Sequence, residues 1–341
     1  MKVVQVGLGN FGKRHIEAWH SLGFGDRLWI ADSDESKWAE TARFNFPRNR
    51  LAKSLDDVID QVDVVDIVTP TQSHFELCKR ALEAGKDVFI EKPMTMTHRD
   101  AVEIAAIAAR TRRLLQVGYY YRYHPISQRI KTDLKEGRLG RVRYLTGNFF
   151  GFKRARNDVG VTHTDGIHFI DLFNWFQDAV PVEVYAICRD HFKRGLEDFS
   201  IVLMTYADGT VAKVESGYVQ PGRWKDKVVP GALTSKDIVV VGEAFTAEAD
   251  FETESLTVHD AHHELRQGTW AAIVGPASVP PIEPCSPVQM VARELEAFLA
   301  CTQSRAANMA GPVESGVNLA AIMEAIYESA RTHAPVKIRV A

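Results

Sequence analysis

Cysteine is scarce in this chain, with four residues in 341. Cys78, Cys188, Cys285 and Cys301 form no CxxC pair, which argues against a disulfide frame or a zinc site. They read as reduced thiols in a cytoplasmic protein, and no metal is expected. Long apolar runs are missing as well. The longest, such as Val64–Val68, are strand-sized and far short of a bilayer span. The N-terminus runs directly into a strand pattern (Val3, Val4, Val6), so no signal peptide is expected. Charge of one sign is absent too: 41 Lys+Arg against 44 Asp+Glu leave a net charge of −3. That balance gives no electrostatic case for nucleic acid or an anionic membrane as partner. There is no internal repeat and no low-complexity segment. What remains, 45% hydrophobic and 25% charged residues, is ordinary globular composition at a length suited to two domains.

Over the first 120 or so residues, short β-branched runs alternate with helical patterns. Lys2–Val6, Arg27–Ala31, Val64–Thr69, Val88–Ile90 and Leu114–Val117 read as buried parallel strands. Gly12–Leu22, Lys37–Phe44, His74–Ala84 and Thr97–Thr111 read as the helices between them. This rhythm predicts an α/β fold that begins with a doubly wound parallel sheet of Rossmann type, over residues 1–122. Beyond it the rhythm changes. A helix at Ile126–Lys135, a long strand at Arg143–Phe152 and a helix at Thr164–Phe176 precede strands at Glu183–Asp190, Phe199–Tyr206, Thr210–Tyr218 and Asp237–Val241. Asp208-Gly209 reads as a hairpin turn. Helices follow at Pro287–Cys301 and Pro312–Thr332, then a strand at Val336–Val340. Residues 123–341 are therefore expected to form an α/β domain around a large open, mostly antiparallel sheet. Its final helix is a candidate to pack back on the first domain. Pro221–Lys236 and Gly275–Pro287 read as mobile surface loops.

Gly7-Leu8-Gly9-Asn10-Phe11-Gly12 is a GxGxxG that follows a strand and opens a helix, the context in which this motif binds a dinucleotide. Gly7 allows the turn, Gly9 admits a pyrophosphate, and Gly12 lets the helix pack close to the strand. The helix N-terminus supplies N–H groups and a positive dipole end. Twenty residues beyond Gly12 stands Asp32, placed to accept hydrogen bonds from an adenosine ribose diol and to repel a 2′-phosphate. Ser33 and Asp34 bring no arginine to welcome that phosphate, so NAD is the expected cofactor.

Glu91-Lys92-Pro93 closes the fourth strand, where ligands of open α/β sheets bind. The Lys92 ammonium suits stabilisation of a developing alkoxide during hydride loss. Taken together, the GLGNFG motif, Asp32, the stretch from Val62 to Pro93 ending in EKP, and the DGIHFID segment at 165–171 resemble the Gfo/Idh/MocA oxidoreductase family across nearly the whole chain. The resemblance implies a Rossmann domain, then a substrate domain whose open sheet packs on a partner subunit in a homodimer or homotetramer. It implies that Lys92 is catalytic and that Thr69, Pro70, His74 and Glu91 line the nicotinamide side. It also implies a substrate that is a sugar, an inositol or a nucleotide sugar.

Family members often carry Asp-x-Gly-x-His at the start of a helix. Here the aspartate position is Thr164, His168 keeps its place, and Asp165 stands one residue out of register. Thr164 and His168, four apart, share a helix face. His168 suits general-base duty near neutral pH, and a place near a helix N-terminus disfavours its cation. His163, just upstream, is a second proton-transfer candidate. For substrate binding, Tyr120 and Arg122 in the run Tyr119–Tyr123 and Arg154 and Arg156 in the basic run 153–157 are candidates, with Thr164 and Asp165. Arginine pairs clamp diphosphates, and tyrosines stack on bases; both also pack or solvate domain edges.

The reading that follows is an NAD-dependent oxidoreductase acting on a sugar-ring hydroxyl. GVTHTDGIHFIDL resembles family members that act on UDP-linked amino sugars at C3. Three alternatives use the same residues. One is a free-sugar or inositol dehydrogenase, another a carbonyl or imine reductase, and the third a cofactor-bound regulator without turnover.

Overall fold

The computed structural model describes residues 1–44, 46–305 and 311–339. The chain divides into two compact units, Met1–Tyr123 with Ser286–Ala320, and His124–Cys285 with Ala321–Arg339.

In the first unit, β1 (Val3–Val6), β2 (Leu28–Ala31), β3 (Leu51–Ala52), β4 (Val64–Ile67), β5 (Asp87–Glu91) and β6 (Leu115–Gly118) form one parallel sheet in the order β3-β2-β1-β4-β5-β6. Strands β1, β4, β5 and β6 are buried along their whole length, as central parallel strands covered on both faces must be. The order reverses between β1 and β4, which creates the crevice beyond the strand ends where dinucleotides bind. Helices α1 (Asn10–Ser21), α2 (His74–Glu83) and α3 (His98–Thr111) connect these strands. Thr97 caps α3 by accepting a hydrogen bond from the Asp100 N–H.

The second unit opens with α4 (Pro125–Lys135), followed by β7 (Val142–Phe152), a π turn at Thr162–Gly166 and α5 (Ile167–Gln177). Then come β8 (Glu183–Arg189), β9 (Phe199–Thr205), β10 (Val211–Gly217), β11 (Trp224–Lys225), β12 (Leu233–Gly242), β13 (Thr246–Asp250), β14 (Ser255–His259), β15 (Ala261–Arg266) and β16 (Thr269–Val274). Helix α6 (Pro287–Ser304) belongs to the first unit. It starts with a capping box between Ser286 and Gln289 and packs on α1. Helix α7 (Val313–Thr332) and β17 (Val336–Lys337) close the described chain. The large sheet has the order β14-β13-β12-β7-β10-β9-β8-β17, with β11 beside β12. It is mixed: β7 and β10 are parallel, and the other described pairs are antiparallel. Phe169 and Phe173 of α5 lie against Gly147 of β7, where a side chain would leave no room.

Several sequence expectations are corrected. Lys37–Phe44 lies within a 3₁₀ stretch, Glu35–Phe44, not an α-helix. Pro221–Lys236 is not wholly loop, since it contains β11 and the first residues of β12. The helix placed at 164–176 begins with the π turn. Strands β13 to β16 were absent from the sequence reading. Of the final strand, the structure shows Val336–Lys337, while Val340 lies outside the described residues.

Candidate active site

The glycine loop is held from below. Gln5 Nε2 donates to Gly7 O and Gly12 O, each at 2.9 Å, so one buried amide fixes both ends of the motif. Gly7 has φ +110°, a backbone region that disfavours side chains, and a Cβ there would lie 2.6 Å from Val68 O. A Cβ on Gly12 would lie 2.4 Å from Gly7 O. Over Gly9 the space is open: a Cβ meets nothing within 4 Å. The α1 N-terminus carries neither a side-chain cap nor an acidic residue in its first turn. An uncapped helix end above an unobstructed glycine fits a dinucleotide's pyrophosphate.

Asp32 follows β2 and is buried. Its Oδ2 accepts from Leu8 N–H at 2.7 Å and its Oδ1 from Asp34 N–H at 2.9 Å, while Lys37 Nζ stands 3.4 Å from both oxygens. The carboxylate therefore braces the glycine loop as well as standing where a ribose diol would be read. Lys37 was not foreseen in this role. Beyond β4, His74 bridges Thr69 O and Pro93 O, each at 2.9 Å. Burial pushes its pKa down, against the pull of those carbonyls. It thus ties the Thr69-Pro70 loop to the loop after Lys92. Lys92 is half-buried and follows Glu91 at the end of β5, with a cis peptide bond to Pro93.

Beneath Lys92 lies a cluster that sequence reasoning missed. His15 of α1 is fully buried between Asp66 Oδ2 (Nδ1, 2.9 Å) and Glu91 Oε1 (Nε2, 3.2 Å), and Trp19 Nε1 donates to Asp66 at 2.7 Å. Burial opposes the imidazolium, but the two carboxylates outweigh it and push the pKa up to about 10. Glu294 of α6 is also fully buried, with neither carboxyl oxygen hydrogen-bonded. Burial and the nearby Glu91 raise its pKa well above the usual carboxylate range. A histidine in the middle of α1 and acids on two strands give no local pattern. Only strand register brings them together.

In the second unit, His168 stacks on Phe149 of β7 (5.7 Å between centroids, 18°). Two ammonium groups, one half-buried and one buried, flank the same phenyl ring: Lys153 Nζ at 5.7 Å and Lys236 Nζ at 5.3 Å. Lys153 donates to Asp165 Oδ1 at 2.9 Å. Lys236 donates to Glu252 Oε1 at 2.6 Å and pairs with Asp226 at 3.2 Å. Thr164 Oγ1 lies 2.6 Å from the Tyr218 hydroxyl and donates toward Gly160 O and Val161 O. Asp165 Oδ2 and Glu252 Oε2 are buried without a hydrogen-bond donor. Buried carboxylate oxygens of this kind call for a partner the protein itself does not provide.

The candidates thus fall into two groups. The first unit brings together Gly7, Gly9, Asn10, Phe11, Gly12, Asp32, Thr69, Pro70, His74, Glu91 and Lys92 around its strand ends. The second gathers Thr164, Asp165 and His168 on one turn. Tyr120 and Arg122 are buried in packing of the first unit. Tyr120 rests on Phe11 and Tyr121, while Arg122 lies over Tyr119 and donates to Ser315 Oγ. Arg156 is held by Asp158 two residues away, through Nε at 2.8 Å, and Arg154 is exposed. Phe149, Lys153, Tyr218, Lys236 and Glu252 were missed as neighbours of this turn. Alternation along β7 and β12 signals which residues are buried, but not which are beside His168.

Comparison with known proteins fits this geometry. Residues 1–119 match the profile described as "Oxidoreductase family, NAD-binding Rossmann fold", and residues 127–248 match the GFO/IDH/MocA C-terminal domain. Among curated relatives, UDP-N-acetylglucosamine 3-dehydrogenase of Acidithiobacillus ferrooxidans is 29% identical over 67% of this chain and 72% of its own. D-apiose dehydrogenase of Paraburkholderia graminis is 26% identical over 98% of this chain and 88% of its own. Among solved structures, levoglucosan dehydrogenase with NADH and L-sorbose superposes with a TM-score of 0.84 at 20% identity, covering 100% of this chain and 99% of that one. With the glycine loop, the Lys92 strand end and both domain profiles in place, the chain belongs to the Gfo/Idh/MocA family of NAD-binding oxidoreductases.

Proposed function

We propose that this protein oxidises a hydroxyl on a sugar ring, with Lys92 and His168 as the groups that act on the substrate oxygen. NAD, when bound, supplies the hydride acceptor. Gly7, Gly9, Asn10, Phe11, Gly12 and Asp32 would hold it, with Thr69, Pro70, His74 and Glu91 toward its nicotinamide end. Lys92 donates a hydrogen bond to the substrate oxygen and stabilises negative charge as it develops. His168 takes the hydroxyl proton. The enzyme works in the cytoplasm as a homodimer or homotetramer.

The observation that carries the sugar reading is the polar lining around Phe149 and His168. Asp165 and Glu252 offer buried acceptor oxygens, and Lys153 and Lys236 offer donors. A polyhydroxylated ring satisfies both sets at once, since each hydroxyl donates and accepts. The relatives named above act on UDP-N-acetylglucosamine and on apiose. We take the UDP-linked amino sugar, oxidised at C3, as the first substrate to test. The Arg156–Asp158 pairing favours the second reading, a free sugar or inositol, because it occupies one of the two arginines a diphosphate clamp would use.

Absorbance of NADH during incubation with NAD and either UDP-N-acetylglucosamine, myo-inositol or D-apiose separates the readings. On the nucleotide-sugar reading, Arg154→Ala with Arg156→Ala raises KM far more than it lowers kcat, the mark of lost uniform binding. Turnover of myo-inositol or apiose alone, with no saturation by UDP, selects the free-sugar reading.

A further inference from the structure

We propose that His15 is a positioning residue for Lys92: as an imidazolium it holds the Glu91 carboxylate toward α1, and so sets how the next residue, Lys92, leaves the end of β5. This rests on the reading of Lys92 above, as a group that acts on the substrate oxygen. Hydrogen-bond accounting fixes the charge of the ring. His15 Nδ1 lies 2.9 Å from Asp66 Oδ2, and Nε2 lies 3.2 Å from Glu91 Oε1. Carboxylate oxygens only accept, so each ring nitrogen donates and the ring carries a positive charge. Trp19 Nε1 also donates to Asp66 Oδ2, at 2.7 Å, and holds that carboxylate in place.

The seat of Glu91 is shaped from two sides. On β6, Gly118 pairs with Glu91, and a Cβ there would lie 2.7 Å from Glu91 Oε1 and 3.1 Å from the Phe89 ring. Glycine therefore leaves room for the same oxygen that His15 bonds. The imidazole is wedged as well as bonded. Phe89 of β5 lies 5.8 Å from it, and Phe11 of the glycine motif meets it edge-on at 5.3 Å and 61°. His15 and Asp66 are fully buried and Glu91 nearly so, so loss of the imidazolium leaves two buried carboxylates without their cation.

Two links run from this ring to the reaction. His15 stands in α1, the helix that the glycine loop opens, and Phe11 of that loop rests against it. Glu91 is the last residue of β5, and Lys92 follows it. Side chains alternate across a strand, so a Glu91 turned toward α1 directs Lys92 to the other side of the strand. His15 thereby joins the helix that would hold the pyrophosphate to the strand end that carries the lysine. Fully buried, it acts on Lys92 only through Glu91. A misplacement of about 1 Å at a reacting group costs on the order of 10²-fold in rate. The pyrophosphate contacts lie on the glycine loop itself, so this joint bears on turnover and not on NAD affinity.

The test uses the full-length protein and reads Lys92 directly. Reductive methylation without cofactor, followed by peptide mass spectrometry, gives the labelling rate of Lys92 against the exposed Lys135 as internal reference. His15→Gln removes the positive charge and is expected to slow labelling of Lys92 by about threefold or more, because an ammonium beside an uncompensated carboxylate keeps its proton more tightly. Glu91→Gln removes the negative charge and is expected to speed it. With the best of the three polyols above, His15→Gln should lower kcat on the order of 10–100-fold, while KM and the NADH affinity from fluorescence titration stay within about threefold. The double variant His15→Gln with Glu91→Gln, whose two amides can bond each other, should recover part of that kcat. Lys92 labelling that neither variant moves relative to Lys135 overturns the proposal. So does an unchanged kcat in His15→Gln, or a loss of NADH affinity as large as the loss of kcat, which marks His15 as part of the α1 fold alone. Should His15→Gln not fold, the labelling of Glu91→Gln decides. If no polyol reduces NAD, the dehydrogenase reading falls, and the labelling still decides whether His15 governs Lys92.

Discussion

In the dinucleotide unit, the residues expected to hold the cofactor come from short stretches of chain, each just past the end of a parallel strand. Gly7–Gly12 follows β1, Asp32 follows β2, Thr69–His74 follows β4, and Glu91–Lys92 closes β5. In the second unit no such order exists. His168 stacks on Phe149 of β7, whose ring is flanked by Lys153 from the loop beyond it and by Lys236 of β12, which bonds Glu252 from the turn after β13. The two units also treat buried charge differently. The first encloses His15 between Asp66 and Glu91 with Glu294 alongside, sealed at 0–5% exposure beneath Lys92. The second pairs Asp165 with Lys153 and Glu252 with Lys236, the two ammonium groups that flank Phe149. In the first, the carboxylates of Asp66 and Glu91 close on one imidazolium and burial makes Glu294 hold its proton more tightly, which suits a scaffold; in the second, the carboxylates share lysine ammonium groups, donors that a ligand's hydroxyls can also use.

The largest effect expected from breaking the first arrangement is at Lys92. Lys92→Ala should lower turnover by about two orders of magnitude or more while NAD affinity, followed by fluorescence titration, stays within a few-fold. Near-normal turnover would make Lys92 part of the scaffold. In the second unit, Lys236→Met leaves Asp226 and Glu252 buried without their cation. Breaking a buried pair from one side costs about 3–5 kcal/mol, so denaturant unfolding should show a loss of that size. A loss below about 1 kcal/mol, the scale of a surface pair, would show the cluster to be solvated.

Why one half was legible in the sequence follows from the same contrast. GxGxxG, Asp32 and Glu91-Lys92 are local patterns, and a parallel α/β sheet has only one place for them. Gln5 and Lys37 escaped notice because their partners lie in those motifs but their own positions carry no signature. The His15 cluster escaped because α1, β4 and β5 meet only through strand register. In the second unit, His168 was found by its segment alone. Phe149, Lys153 and Lys236 reach one another through sheet register and a loop contact, which periodicity does not report. Strands β13 to β16 were missed because polar, half-exposed strands such as β15 lack the apolar alternation that marks a buried face.

A smaller effect is expected at Asp32. Asp32→Ala removes the brace on Leu8 N–H along with the ribose acceptor, so NAD should bind on the order of 10–100-fold more weakly, the scale of one or two charge-assisted hydrogen bonds. The bias against NADP should relax with it. Unmodified protein with equal affinity for both cofactors would contradict this account of Asp32.

The smallest effect is a pH slope at Glu294. Its folded pKa lies well above the usual 4.5, so the folded state keeps a proton that the unfolded chain releases. Stability from this group is therefore full below about pH 4.5 and is lost as pH rises toward the folded value. Glu294→Gln removes that loss, and its Tm advantage over the unmodified protein should be larger at pH 8 than at pH 5. A difference that does not change with pH would place the carboxyl in a hydrated setting.

The central claim, that this oxidoreductase takes a sugar hydroxyl proton onto His168, is tested most directly by NADH formation in the unmodified protein and in His168→Asn. Saturable NAD reduction by UDP-N-acetylglucosamine, myo-inositol or D-apiose is predicted, with a fall on the order of 10²–10⁴-fold in the variant at unchanged NAD affinity. A His168→Asn enzyme that reduces NAD as fast as the unmodified one, or a protein that binds NAD and oxidises none of these polyols, would contradict it.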